Sequence, residues 1–313
     1  VTQIHISVQK TKLNQNKVLS GLVFVDKPAG LTSHDVVAKL RKRFGTRRVG
    51  HGGTLDPMAT GLLIIGIENG TKLLQFVTDS SKSYTATVRL GESRVTDDAE
   101  GDLLESVVAQ HLSDSQIAAA FETQVGDIQQ KPSAVSAIKQ NGIRAYTRVR
   151  AGESVDLPAR SVSITRLKLI QISRNENFVD VEIEVDCSKG TYIRSIARDV
   201  GNLLEVGGHL TALRRTSIGE IDLSQSADWE RAELLPLADI APKFMPAFEV
   251  SDSAKAAIKV GKELEWPNQV ATDVAAVAVL NSAKSELFAI GKPVVRDGVI
   301  KLGYHSVLIS ENA

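Results

Sequence analysis

Cysteine is almost missing from this chain: Cys187 is the only one in 313 residues. A lone cysteine excludes an internal disulfide and a thiolate cluster for zinc, and it suits a reducing cytosol. Long hydrophobic runs are lacking too. The longest, residues 62–67, is interrupted by Gly66 and is far too short to span a bilayer. Residues 1–17 carry Lys10, Lys12 and Lys17 but neither the apolar stretch nor the small-residue cleavage pattern of a signal peptide, so a soluble cytoplasmic protein is expected. Net charge is absent as well, since 37 basic residues balance 37 acidic ones. By itself that balance argues weakly against nucleic acid, because most nucleic-acid binders are basic. Internal repeats, low-complexity segments and His/carboxylate metal spacings are also missing.

What is present is ordinary globular material, 42% hydrophobic and 24% charged, in a length that favours two domains. The charges are segregated. Between Lys10 and Asp56 ten lysines and arginines, among them Lys39, Arg41, Lys42, Arg43, Arg47 and Arg48, face only Asp26, Asp35 and Asp56. A second basic group holds Lys131, Lys139, Arg144, Arg148 and Arg150, and a third holds Lys189, Arg194, Arg198, Arg214 and Arg215. The acids gather elsewhere, at Glu92, Asp97, Asp98, Glu100, Asp102 and Glu105. Such segregation presents either a positive face on a neutral molecule or a set of solvated helix faces.

Residues 19–26 read as a buried strand ended by Pro28 and Gly30, and Ser33 is placed to cap a helix carrying Val36, Val37, Leu40 and Phe44 that stops near Gly45. Tyr84, Ala86, Val88 and Leu90 alternate with more polar residues, as do the apolar residues of 178–187, and both patterns have the period of a strand. Ser113 and Gln116 make a capping box before Ile117, Ala120 and Phe121. Ile193, Ile196, Ala197, Val200, Leu203 and Leu204 define a helical face. Strands and helices mix without a βαβ rhythm, which predicts an α+β fold with a mixed or antiparallel sheet. Pro236, Pro242 and Pro246 mark a boundary, after which strand-like runs at 277–280, 287–290, 299–302 and 307–309 predict a small β-rich domain.

The segment that looks most like a site is the glycine-rich loop 50–61, with Asp56 fixed from behind by Pro57. Glycines there permit positive φ and close approach of another molecule. The loop is not a Walker A motif, since no Gly-Lys-Ser/Thr follows at the required spacing, and not a dinucleotide fingerprint, since it precedes a strand. From the residues alone it is equally a catalytic loop, a phosphate cradle or a plain Asp-Pro turn.

Six fragments occur in one order: Asp26-Lys27-Pro28-x-Gly30-x-Thr32-Ser33; Gly50-His51 with Gly53-Thr54-Leu55-Asp56-Pro57-Met58-Ala59-Thr60-Gly61; Lys82-x-Tyr84; Arg89-Leu90-Gly91; Pro132-Ser133-x-x-Ser136-Ala137-x-Lys139; and Cys187-Ser188-Lys189-Gly190-Thr191-Tyr192-Ile193-Arg194. Together they resemble the TruB family of tRNA pseudouridine synthases, strongly over about residues 18–220. The resemblance implies an N-terminal extension (1–17), a pseudouridine synthase catalytic domain (18–245) and a PUA-like RNA-binding domain (246–313). It implies isomerisation of uridine 55 in the tRNA T-loop by base flipping, with no metal and no small-molecule cofactor. The implied partner is the T-arm of tRNA, no membrane is involved, and a monomer is expected.

By the same resemblance Asp56 matches the nucleophile, Tyr84 the tyrosine that stacks on the target base and accepts its C5 proton, and Arg194 the arginine paired with the aspartate. The pairing is expected to lower the carboxylate pKa. Asp98 orients Arg194, Tyr192 and Leu213 pack the base pocket, His51 fills space left by extruded bases, and Lys27 borders the site in a mainly structural role. Departures from the family pattern are Gly52 where many members carry a hydroxyl, Val135 for an aromatic, and Arg94-Val95 for a polar pair. They bear on local RNA contacts rather than on the reaction, Gly52 by loosening the loop. Two other readings compete: a non-catalytic RNA-binding or RNA-folding protein, which gives no reason for Asp56, Tyr84 and Arg194 to occur together, and a carboxylate-based glycosidase or nucleoside hydrolase, which would want a second carboxylate across the scissile bond.

Overall fold

Residues 22–25 and 62–65 are apolar at every position because the strands they form are covered on both faces. In the computed structural model, which describes residues 20–135 and 157–309 and the backbone of the short strands Lys139–Gln140 and Ile143–Arg144, they are the antiparallel neighbours Gly21–Lys27 and Thr60–Ile67. Side chains alternate across a strand. Val23, Val25, Leu63 and Ile65 enter one core, while Leu22, Phe24, Leu62 and Ile64 enter another on the opposite face. The 1–17 extension, the Ser136-Ala137 part of the fifth fragment, and Arg148 and Arg150 lie outside the described residues, as do the side chains of Lys139 and Arg144.

These strands belong to a ten-stranded sheet. Its spatial order is Leu234–Pro236, Gly21–Lys27, Thr60–Ile67, Gly208–Ile218, Lys82–Leu90, Val179–Cys187, Arg160–Arg174 and Gly126–Gln130, with Val49–His51 and Ile221–Asp222 paired alongside. Every pairing is antiparallel except one, where Arg214 and Arg215 run parallel to Thr60 and Gly61. Helix is thus interspersed with a mixed sheet, as the α+β expectation requires. Pro236 sits on an edge strand, where a missing N–H is tolerated.

The helices Ser33–Phe44 and Ile193–Leu203 bury Val36, Val37 and Leu40, and Ile193, Ile196, Ala197 and Val200, in the first core. The first of these helices is capped by Thr32, not Ser33. The Thr32 hydroxyl accepts from the Asp35 N–H at 3.0 Å and the Asp35 carboxylate accepts from the Thr32 N–H at 2.8 Å. Gly45, with φ 64°, closes the other end.

A five-stranded sheet follows in the order Ala247–Val250, Val277–Asn281, Leu287–Arg296, Val299–Val307 and Leu264–Glu265. The expected separate run at 307–309 is instead the end of one long strand, Val299–Val307, paired with Leu287–Arg296. This sheet does not stand apart. Ala276, Ala278, Leu280, Leu287, Ile290 and Leu308 share the second core with Leu22, Phe24, Leu62 and Ile64, and the residues between the sheets, Leu237, Ile240, Ala241 and Met245, are buried in it too.

Candidate active site

The glycine-rich loop ends where the sheet changes direction, and close packing there dictates its sequence. Gly61 has φ +100° and lies so near the adjacent strand that a Cβ would sit 2.3 Å from the Arg215 carbonyl oxygen. Gly52 is equally constrained, because a Cβ would meet Val77 Cγ1 at 2.4 Å. Its departure from the family pattern is therefore matched by a side chain packed against it and does not loosen the loop. Four residues anchor the backbone. The Gly52 N–H donates to the Ile64 carbonyl at 2.8 Å, and the Leu55 N–H donates to Ser33 Oγ at 2.8 Å. Ser33 Oγ donates back to the Leu55 carbonyl at 3.1 Å, so the serine freed from capping binds the loop. Arg215 donates to the Gly53 and Leu62 carbonyls at 3.2 and 2.7 Å. Lys27, fully buried, donates to the carbonyls of Pro28, Leu31 and Pro57 at 2.9, 2.6 and 3.2 Å, which joins the turn after the first strand to the turn that carries Asp56. Burial lowers its pKa to about 8, against the raising pull of Asp56 and Glu100.

Asp56 meets Arg194, which projects from the first turn of the helix Ile193–Leu203. Arg194 Nε lies 3.0 Å from Asp56 Oδ2, and Nη2 lies 3.4 Å from Oδ1. The guanidinium is saturated: Nη1 contacts Asp98 Oδ2 at 3.4 Å and donates to the Thr96 carbonyl at 2.7 Å, while Nη2 donates to the Val135 carbonyl at 2.9 Å. Val135 thus serves the site through its backbone, whatever its side chain. Asp98 is itself held by the Thr96 hydroxyl at 2.5 Å and the Glu100 N–H at 3.1 Å. Arg94, another departure, contacts Glu92 at 3.1 Å and the Gly101 carbonyl at 3.1 Å, bracing the hairpin that carries Asp98.

The net direction of the Asp56 pKa corrects the sequence expectation. Burial pushes the carboxyl above its ordinary value, Arg194 and Lys27 pull it down, Asp98 adds to the rise, and the rise wins. Withdrawal from water outweighs the ion pair.

Asp56, Tyr84, Tyr192, Arg194 and Leu213 come together around one cavity of about 300 Å³, at the small end of ligand sites. The register explains the grouping. Tyr84 lies opposite Arg215 and Ala86 opposite Leu213, so their side chains rise from one face of neighbouring strands. Burial raises the Tyr84 pKa and Arg215 opposes that rise. Gln130 fixes the Tyr192 backbone, donating to its carbonyl at 3.1 Å and accepting from its N–H at 2.8 Å. Asp98 and Lys27 stand behind the cavity, not in its wall. His51 lies outside the lining, on the strand Val49–His51, its ring edge-on to His34 with centroids 5.3 Å apart.

Sequence reasoning missed Lys82, Arg215, Gln130 and Ser33 as parts of the site. Lys82 lines the cavity and caps the carbonyls of Val77, Thr78 and Ser80 at 3.3, 2.5 and 2.5 Å, and burial lowers its pKa to about 8. Its place in Lys82-x-Tyr84 was the available signal. The third basic group is not a free positive face. Arg194 pairs with Asp56 and Asp98, Arg198 with Asp97 and Asp199, Arg214 with Asp26, and Lys189 with Asp79. In the first group Arg41, Lys42, Arg43, Arg47 and Arg48 are exposed on and just after one helix. Among the described residues no cluster of His, Cys, Asp and Glu could hold a metal, and no helix is long and apolar enough to cross a membrane.

Comparison with known proteins bears on the family and the fold. The family described as TruB family pseudouridylate synthase (N terminal domain) matches residues 41–193. A protein of Paenarthrobacter aurescens named tRNA pseudouridine synthase B is 49% identical over 267 residues, covering 83% of this chain and 86% of that protein. A protein of the same name from Mycobacterium ulcerans is 57% identical over 207 residues, covering 66% and 69%. Among solved structures, the archaeal box H/ACA sRNP Nop10-Cbf5 complex aligns with TM-score 0.69 at 23% identity over 96% of this chain and 90% of that one. That last likeness speaks to the fold alone.

Proposed function

The chain belongs to the TruB family of pseudouridylate synthases, and from that premise we propose that it isomerises uridine 55 in the T-loop of tRNA to pseudouridine, with Asp56 as nucleophile. As a tRNA pseudouridine synthase it is an isomerase. The observation that carries the finer reading is a half-buried carboxylate, held bidentate by Arg194, in a cavity whose walls include Tyr84, Tyr192 and Leu213.

A uridine inside a folded T-arm is stacked and out of reach, so it enters by flipping, and the aromatic and aliphatic walls offset its lost stacking. Asp56 attacks, the N1–C1′ bond breaks, the detached base turns and rejoins through C5 as the Asp56 carboxylate is released, Tyr84 takes the C5 proton and N1 gains one. A raised pKa makes Asp56 the more basic and more nucleophilic carboxylate, while Arg194 fixes its direction. Asp98 and Lys27 hold the two residues from behind. The exposed arginines and lysines of the 41–48 stretch are suited to phosphate of the T-arm. The five-stranded C-terminal sheet is assigned as the PUA-like RNA-binding part, and the enzyme as a cytoplasmic monomer.

The test is Asp56→Asn, which keeps the shape and removes the charge. Single-turnover pseudouridine formation at position 55 should fall by at least about 10⁴-fold, the scale of removing a nucleophile, while tRNA affinity stays near the parent value. A folded variant that binds tRNA and isomerises at the parent rate would remove Asp56 from the role.

A further inference from the structure

Arg215 is among the largest fully buried side chains of the protein, at 1% exposure, yet among the described residues it pairs with no carboxylate. A buried charge is costly unless paired and hydrogen-bonded. The other arginines near the site follow that rule: Arg194, Arg198 and Arg214 each contact an aspartate. Arg215 instead has only neutral partners. Nε and Nη2 donate to the Leu62 and Gly53 carbonyls, one at each end of the catalytic loop. Opposite it in the sheet is Tyr84, on the same face, and both line the cavity. A loop clamp alone could use a neutral donor. A fixed, uncompensated positive charge beside a phenol favours the anionic form of that phenol's oxygen.

We propose that Arg215 is a positioning residue for proton removal: its guanidinium aims the Tyr84 oxygen at the rejoined base and stabilises that oxygen in its anionic form. This rests on the reading of Tyr84 as the acceptor of the C5 proton. After the base rejoins the sugar through C5, the C5–H bond breaks, its electron pair forms the C5=C6 double bond, and the C6=N1 pair moves onto N1. The proton passes to the Tyr84 phenolate, and N1 takes a proton from water. Tyr84 returns its proton to water before the next turnover, so no co-reactant beyond water is needed. Arg215 acts through Tyr84 without touching the reacting atoms. Burial wins and raises the Tyr84 pKa, while the Arg215 charge opposes that rise, so losing Arg215 makes the phenolate harder still to form.

The experiment compares parent, Arg215→Gln, Arg215→Lys and Tyr84→Phe in single-turnover conversion of tRNA carrying protium or deuterium at C5 of the target uridine. Thermal unfolding and tRNA affinity are measured beside it. Arg215→Gln is expected to slow conversion about 10²-fold, the scale of one lost electrostatic donor, with affinity little changed. Its deuterium effect should exceed the parent's, and its rate should recover as pH rises and Tyr84 ionises without help. Arg215→Lys keeps the charge, so its deuterium effect should stay near the parent value. If the glutamine variant does not fold, Arg215→Met, whose straight chain fills the same space, takes its place with the same expectations. A variant slowed equally for both isotopes and at every pH would make Arg215 a loop clamp only and overturn the proposal. Parent-like conversion by Tyr84→Phe would instead sink the reading of Tyr84 as proton acceptor, a separate outcome.

Discussion

At the scale of single residues, Asp56 carries a cost that its function explains. Its carboxyl titrates above the ordinary value of 3.8 because burial outweighs Arg194. The sign of the linkage follows. The folded state binds this proton more tightly than the unfolded state, so the contribution to stability is present at low pH and is lost as pH rises through the raised pKa. Above it, an ionised carboxylate is being kept partly out of water. Asp56→Asn removes that charge, and Arg194 keeps Asp98 and three backbone or hydroxyl partners. The variant is therefore expected to unfold at the parent temperature or higher at neutral pH, with the advantage fading as the pH falls below the carboxyl's raised pKa. In the parent, the acid limb of the single-turnover rate should lie above pH 3.8. Thermal unfolding and rate profiles across pH 3 to 8 check both. A variant less stable than the parent at every pH would mean that Arg194 needs Asp56 more than water does.

At the scale of elements, the catalytic loop is held by its neighbours and not by its own turn. Ser33 makes the point most directly, since its hydroxyl both accepts from and donates to the Leu55 backbone in a buried place. Ser33→Ala leaves those two groups without partners, at about 1–3 kcal/mol for the buried donor. The thermal midpoint and kcat should fall together while tRNA affinity changes little, whereas the helix should stay intact because Thr32 caps it. Unchanged kcat in a destabilised Ser33→Ala protein would detach the anchor from catalysis. The sequence reads Ser33 as a cap, a role Thr32 takes instead, and gives no sign of the anchor, because a capping pattern with two hydroxyl residues in a row is ambiguous until the turn is built. The same limit explains the strands that were missed. In Arg160–Arg174 bulges fall between Ile164 and Arg166 and between Leu169 and Gln171, so the inward residues shift from the buried Val162 and Ile164 to Leu167 and Leu169 and then to Ile172. Gly208–Ile218 shifts likewise around bulges at Leu210/Ala212 and Arg215/Ser217, which hid Arg215 as a site residue. The unbulged Lys82–Leu90 keeps its alternation, so that strand is legible in the sequence. Asp56, Tyr84, Arg194, Tyr192 and Leu213 were legible through motif context, whereas their mutual distances depend on register that no local pattern carries.

At the scale of the whole molecule, the two sheets are joined by a shared core, and this changes what a truncation can test. Proline punctuation and a β-rich tail suggest that residues from about 246 onward can be removed with loss of tRNA affinity alone. In the structure Leu22, Phe24, Leu62 and Ile64, from strands that frame the catalytic loop, share a core with Ala276, Ala278, Leu280, Leu287, Ile290 and Leu308. Lys72 also donates to the Val307 carbonyl at 2.9 Å, and the Phe76 ring meets His305 edge-on. Full burial of four large apolar side chains is worth about 1.5–3 kcal/mol each. Losing even half of it would remove roughly 3–6 kcal/mol from the 5–15 typical of a whole domain. A fragment ending at residue 245 is thus expected to unfold at a clearly lower temperature, to bind a hydrophobic dye, and to lose isomerisation through the catalytic loop even at saturating tRNA. Its activity should return in part when the newly exposed Leu22 and Phe24 face is made polar at Leu22 and the assay is run cold, because exposure and instability, not missing chemistry, are the cause. A fragment with the parent's unfolding temperature and full single-turnover rate would show that the second core does not couple the sheets.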